Sequence, residues 1–132
     1  MKIEVWSDYV CPFCYIGKRR LEEALESTGL KDTAEVVFKA YELDPNSPRT
    51  SEKPKAEMLV EKYGMSLEEA ESMIKNVGLI AESVGLNYDF DNMKPANTFD
   101  AHRLAKLAEQ EGVAAEVSES LLLSTHSVLV CS

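Results

Sequence analysis

Two sulfurs three residues apart carry the most reactive chemistry in the chain: Cys11-Pro12-Phe13-Cys14. The motif follows a short apolar run, Ile3 to Trp6, and opens an amphipathic helical pattern. At such a junction Cys11 falls at a helix N-cap. Pro12 takes the first helical position, where its missing N–H is no loss and its fixed φ suits the helix. The unpaired N–H groups and the helix dipole then converge on Cys11 and favour its thiolate. A thiolate is the nucleophile of disulfide exchange. Cys14 returns beneath Cys11 one turn later, which suits one attacking sulfur and one resolving sulfur. Pro12 and Phe13 offer no charge and no side-chain hydrogen bond, so the dipole and the backbone amides are expected to stabilise the thiolate.

Two plainer readings stand beside this one: a pair of ordinary core cysteines, or half of a zinc site. Cys11, Cys14, His126 and Cys131 would supply three sulfurs and one nitrogen, an acceptable zinc set. Against both, a C-P-x-C at a strand-to-helix junction points to a redox dithiol, and Pro12 builds a helix start, not a zinc knuckle. The dithiol reading expects no metal.

The elements that must hold the sulfurs follow from the patterning. Lys2 to Ser7 alternates as a strand, with Ile3 and Val5 on one face and Trp6 on the other, where it is expected to lie under a helix. From Pro12 the helical period places Cys14, Gly17, Leu21, Ala24, Leu25 and Thr28 near one face. Gly17 is costly there unless something packs closely on it. Gly29 suits the stop. Glu35 to Leu43 reads as a second strand. Strand, helix and strand make a βαβ unit with parallel strands and a right-handed crossover, and Asp44 to Pro48 breaks the regular structure.

Beyond it the chain turns helical. Lys55 to Tyr63 is a short helix ended by Gly64. Ser66 and Glu69 form a capping box opening a helix that runs to about Val84, with Gly85 as its stop. A loop from Leu86 to Pro95 bears Tyr88 and Phe90. Asn97 is expected to cap a helix from Thr98 to Gln110, and a last helix covers Ala114 to Leu123. The run Glu68-Glu69-Ala70-Glu71 reads as a solvated face. His102 is expected as a half-exposed helix histidine among charges, against the sharper reading of a proton carrier near the dithiol.

Composition bounds the function. The 132 residues suit one domain with a real core, 45% of them hydrophobic. A net charge of −9 argues against nucleic acid and anionic membranes as partners. No apolar run approaches the ~20 residues of a membrane span, and no secretory h-region follows Met1, so the expected compartment is the cytoplasm. Three cysteines are too few for a disulfide scaffold.

The first strand, the Cys11-Pro12-Phe13-Cys14-Tyr15-Ile16-Gly17 turn and the early helix resemble the DsbA-like thioredoxin fold. Tyr41-Glu42-Leu43-Asp44-Pro45, and Asn97-Thr98-Phe99-Asp100-Ala101-His102-Arg103-Leu104, are similar to the FrnE-like branch, itself related to 2-hydroxychromene-2-carboxylate isomerases. The resemblance implies an α/β fold: a thioredoxin-like βαβ unit with an inserted α-helical domain. It implies a redox half over residues 1–48, a helical insertion over 49–123 and an irregular tail or stub strand over 124–132. The C-terminal part of the family pattern, with its cis-proline loop, is missing from the sequence, and all five prolines precede the place where it would come.

By the same resemblance the chain is a thiol–disulfide oxidoreductase, with Cys11 attacking and Cys14 resolving. Pro12 and Phe13 would meet the substrate, and a client protein or glutathione would be the redox partner. Isomerase relatives usually carry Ser at the first position and use it with glutathione; Cys11 tilts the reading to disulfide exchange. A glutathione-dependent isomerase or transferase, and a zinc-binding fragment without activity, are the alternatives. An unpaired first-strand edge would make the chain marginally stable or favour a homodimer.

Overall fold

Strand β1 (Lys2–Ser7) and strand β2 (Glu35–Ala40) pair in parallel, from Lys2 opposite Glu35 to Ser7 opposite Ala40. Helix α1 (Pro12–Ser27) is their crossover, as the βαβ pattern requires. The structure is a computed structural model and describes residues 1–47, 53, 55–90, 93 and 97–126. Strand β2 stops three residues short of the expected Leu43, because β1 ends at Ser7 and leaves nothing to pair with. The Leu43 amide turns instead to the Asp8 carboxylate, at 2.9 Å.

Four helices follow: α2 (Lys55–Tyr63), α3 (Leu67–Ser83), α4 (Phe99–Gln110) and α5 (Ala114–His126). The Ser66–Glu69 capping box is present in both directions. Gly64 and Gly85 follow their helices at φ +66° and +81°, a region that L side chains rarely adopt. Helix α5 runs three residues past the expected Leu123, so residues 124–126 are helical, not irregular. Val128 to Val130, the expected stub strand, lie outside the described residues, as do Pro48, Pro54, Pro95 and Cys131.

The core sits between helices more than on the sheet. Tyr9, Tyr15, Ile16, Val77, Ala81, Leu86 and Leu122 form it, drawn from α1, α3, α5 and two loops. The expected inner stripe of α1 is therefore displaced: Tyr15 and Ile16 are its buried residues, whereas Gly17, Ala24 and Thr28 are exposed. Packing of α1 on α3 selects the Tyr15–Ile16 side. Leu21 and Leu25 face β2 across a cavity of about 470 Å³. Nothing approaches the Gly17 Cα within 4 Å of where a Cβ would stand, so no close packing explains that glycine.

Trp6 and the start of α4 also depart from the sequence pattern. Trp6 is 59% exposed, not buried under a helix; it points to the face of β1 opposite Ile3 and Val5, which are partly buried. The N-cap of α4 is Thr98, not Asn97. Asn97 still accepts the Phe99 amide at 2.9 Å, and its own amide group donates to the Pro45 and Ser47 carbonyls. It thus ties the segment after β2 to the start of α4.

Candidate functional site

Cys11 occupies the N-cap of α1 with extended backbone (φ −83°, ψ 117°), and Pro12 follows in the first turn. The Cys14 amide closes that turn on the Cys11 carbonyl at 3.2 Å. Both cysteines are free thiols and half-buried. The two sulfurs have opposite proton affinities. Cys11 is lowered to about 6, first by a hydrogen bond from the Cys14 thiol; burial opposes this, while the amides of Cys14 and Phe13 and the charge of Lys55 reinforce it. Cys14 is pushed far above the ordinary thiol range by that same hydrogen bond, by burial and by the negative charges of Cys11 and Asp8, against a contact with the Asp8 amide. One sulfur is a thiolate at neutral pH and the other keeps its proton.

Backbone amides do contribute, as the helix start predicted, but Cys14 leads and Lys55 adds a cation that motif spacing did not reveal. Lys55 opens α2, more than forty positions from the motif by number alone. Its charged form is disfavoured by burial, favoured by Cys11 and disfavoured by Lys62.

Beneath the thiols lies a buried polar cluster. Asp8 is 2% exposed. Its carboxylate accepts from the amides of Tyr9 (2.8 Å) and Leu43 (2.9 Å) and from His102 Nε2 (3.1 Å). Burial would raise Asp8, but His102, the Thr98 hydroxyl and the two amides together hold it below the ordinary carboxylate value. His102 is thus buried and engaged, not a half-exposed residue among charges: α4 delivers it to the loop that precedes Cys11. Motif reading missed Asp8 and Thr98. The only local sign was an acidic residue in the loop between β1 and the motif.

An aromatic layer supports the other side. The Tyr88 hydroxyl donates to the Pro12 carbonyl, and its ring lies 5.1 Å from that of His126 and 5.5 Å from that of Phe90. His126 Nε2–H donates to the Tyr9 carbonyl at 2.7 Å, and burial lowers its pKa to about 4. Among the described residues no three His, Cys, Asp or Glu side chains converge as a metal set. Of the zinc quartet considered above, Cys131 lies outside the described residues.

A groove of about 640 Å³ runs past Cys11, Pro12 and Phe13, walled by Met58, Tyr63 and Met73 from the helical segment and by Phe90. Phe13 is 52% exposed at its edge. No helix among the described residues is long and apolar enough to cross a membrane.

Comparisons with known proteins place the fold in a family. Residues 2–127 match the family model described as a DSBA-like thioredoxin domain. A crystal structure of a probable DsbA oxidoreductase from Streptomyces coelicolor superposes with a TM-score of 0.89 at 38% identity, over 96% of this chain and 54% of that one. The uncharacterized protein YwbO of Bacillus subtilis is 50% identical over 44 residues, which is 33% of this chain and 20% of YwbO. The chain therefore spans about half the length of its structural relative.

Proposed function

Because this chain belongs to the family of DSBA-like thioredoxin domains, we propose that it is a thiol–disulfide oxidoreductase whose working groups are Cys11 and Cys14. The observation that carries this reading is the opposite tuning of the two sulfurs. The Cys11 thiolate attacks one sulfur of a partner disulfide. A new S–S bond forms, the old one breaks, and the departing thiolate takes up a proton. Cys14 then gives up its proton and attacks Cys11, releasing the second partner thiolate and leaving a Cys11–Cys14 disulfide. The partner disulfide gains two electrons and the dithiol loses two; run backwards, the same steps oxidise a partner dithiol.

Pro12 and Phe13 present the partner to Cys11 along the apolar groove, and the partner is a client protein or glutathione. The division into a redox half (residues 1–48) and a helical insertion (49–123), membership of the FrnE-like branch and work in the cytoplasm belong to the same proposal. The branch and the compartment rest on the motifs at Tyr41–Pro45 and Asn97–Leu104, and the division on the helical block that follows the βαβ unit.

The test is a titration in glutathione buffers, following alkylation of Cys11 and Cys14. One reversible two-electron transition that disappears in Cys11→Ser is expected. Absence of a transition in the unaltered chain, or exchange retained in Cys11→Ser, overturns the assignment.

A further inference from the structure

The groove beside the thiols is walled by α2 and α3, and the cation that acts on Cys11 comes from there. Lys55 is the first residue of α2, is half-buried and lines the same groove as Cys11. Among the described residues no carboxylate pairs with it. Its neighbour Lys53 is engaged with Glu61 at 2.7 Å, and Lys62 lies over the Tyr63 ring at 5.5 Å. Among the described residues, the charged groups bearing on Lys55 are the thiolate of Cys11, which attracts it, and Lys62, which repels it; the buried His126 imidazole, whose protonation Lys55 opposes, is the third titratable group that feels it.

We propose that Lys55 sets the redox poise of the dithiol: its ammonium is the counter-charge of Cys11 in the reduced protein and loses that partner whenever Cys11 enters a disulfide. This rests on the oxidoreductase reading. A charge that interacts with one redox form and not with the other shifts the equilibrium between them by that difference. In the reduced form Lys55 faces an anion in a partly dry groove, where Coulomb attraction exceeds its value in water. In the oxidised form it keeps the repulsion of Lys62 and the cost of burial. Lys55 therefore favours the reduced dithiol and makes the protein a stronger oxidant. With glutathione as reductant, the Cys11–Cys14 disulfide and two glutathione thiols become the Cys11 thiolate, the Cys14 thiol, glutathione disulfide and one released proton.

The helical segment is thereby a part of the redox centre and not only a wall of the groove. Among the described residues, the other groups acting on Cys11 are Cys14 and the Phe13 and Cys14 amides from α1, and Tyr88 senses both thiols from the loop after α3.

The test compares the unaltered chain with Lys55→Met, Lys55→Gln and Lys55→Arg in glutathione buffers. Thiolate absorbance against pH is the second readout. The neutral variants are expected to shift the equilibrium about tenfold toward the disulfide, about 30 mV for this two-electron couple, and to raise the Cys11 titration midpoint. Lys55→Arg is expected to restore both. A second neutral side chain covers the case in which one packs badly. If both neutral variants keep the equilibrium and midpoint of the unaltered chain, the inference is overturned while the oxidoreductase reading stands. If the unaltered chain shows no reversible transition, both fall.

Discussion

Cys11 and Cys14 carry the same side chain, and their difference arises from one hydrogen bond and its surroundings. Three predictions belong to this scale. Alkylation of the reduced chain by iodoacetamide is expected at Cys11 with a midpoint near pH 6, with Cys14 unreactive through neutral pH. Cys14→Ala removes the leading contribution and is expected to move that midpoint up by more than Lys55→Gln does. The same shift stabilises the reduced fold. The folded thiol lies near 6 and the ordinary value is 9.0, so the contribution is complete above pH 9 and is lost as pH falls through 6. Asp8→Ala strands a buried histidine and two amides; denaturant unfolding should show a loss of about 3 kcal/mol or more. The thiol pair and its helix start were legible because their causes lie within a few residues. The roles of Asp8, His102 and Lys55 were not: the Asp8–His102 bond joins positions 94 apart, and nothing local to either histidine or lysine announces its partner.

At the scale of elements, the strand, the parallel crossover and the capping box followed from period and caps, which are local. The buried side of α1 did not. Its leucine and alanine spacing was sound, but a helix covering both a two-stranded sheet and α3 has two apolar demands, and Tyr15 with Ile16 meets the stronger. Hydrogen bonding tells against the plain stripe as well. Tyr15, Lys18 and Arg19 converge on Glu119 of α5, which their bonds hold down to about 2 against the effect of burial. Such a polar seam cannot be read from one helix alone. Gly17 supplies the element-scale test: its added methyl meets nothing within 4 Å. Gly17→Ala should stabilise the chain by about 1 kcal/mol in denaturant unfolding, and a loss would mean that the site needs glycine for another reason.

For the whole molecule, acid stability is governed by groups whose pKa is depressed in the folded state. His126 falls to about 4 from 6.5. The unfolded chain binds its proton first, so stability declines as pH drops from 6.5 to 4, by roughly 3 kcal/mol in all. Glu119, lowered to about 2 from 4.5, extends the decline below that window. Thermal melts between pH 7 and pH 3 are expected to fall continuously, and His126→Phe should flatten the upper part of the curve. The sheet sets a second global property. Among the described residues β1 pairs along one edge only, with Trp6 exposed beside it. An unpaired edge recruits strands, so the melting temperature is expected to rise with protein concentration; a concentration-independent monomer melt would refute self-association.

His126 also ties together two loops that lie far apart in the chain. Its ring holds the Tyr9 carbonyl just before the thiols, and its own carbonyl receives the Asp89 amide at 2.8 Å, next to the tyrosine that braces Pro12. One residue at the end of α5 is thus a strut between the two loops that frame the reactive turn. In amide exchange with deuterated water, the Asp89 N–H should open together with the last turn of α5, at one shared rate. Loosening that turn would slacken the floor under Cys11 without touching a sulfur, so the pace of thiol chemistry and the breathing of a distant helix end would rise and fall together.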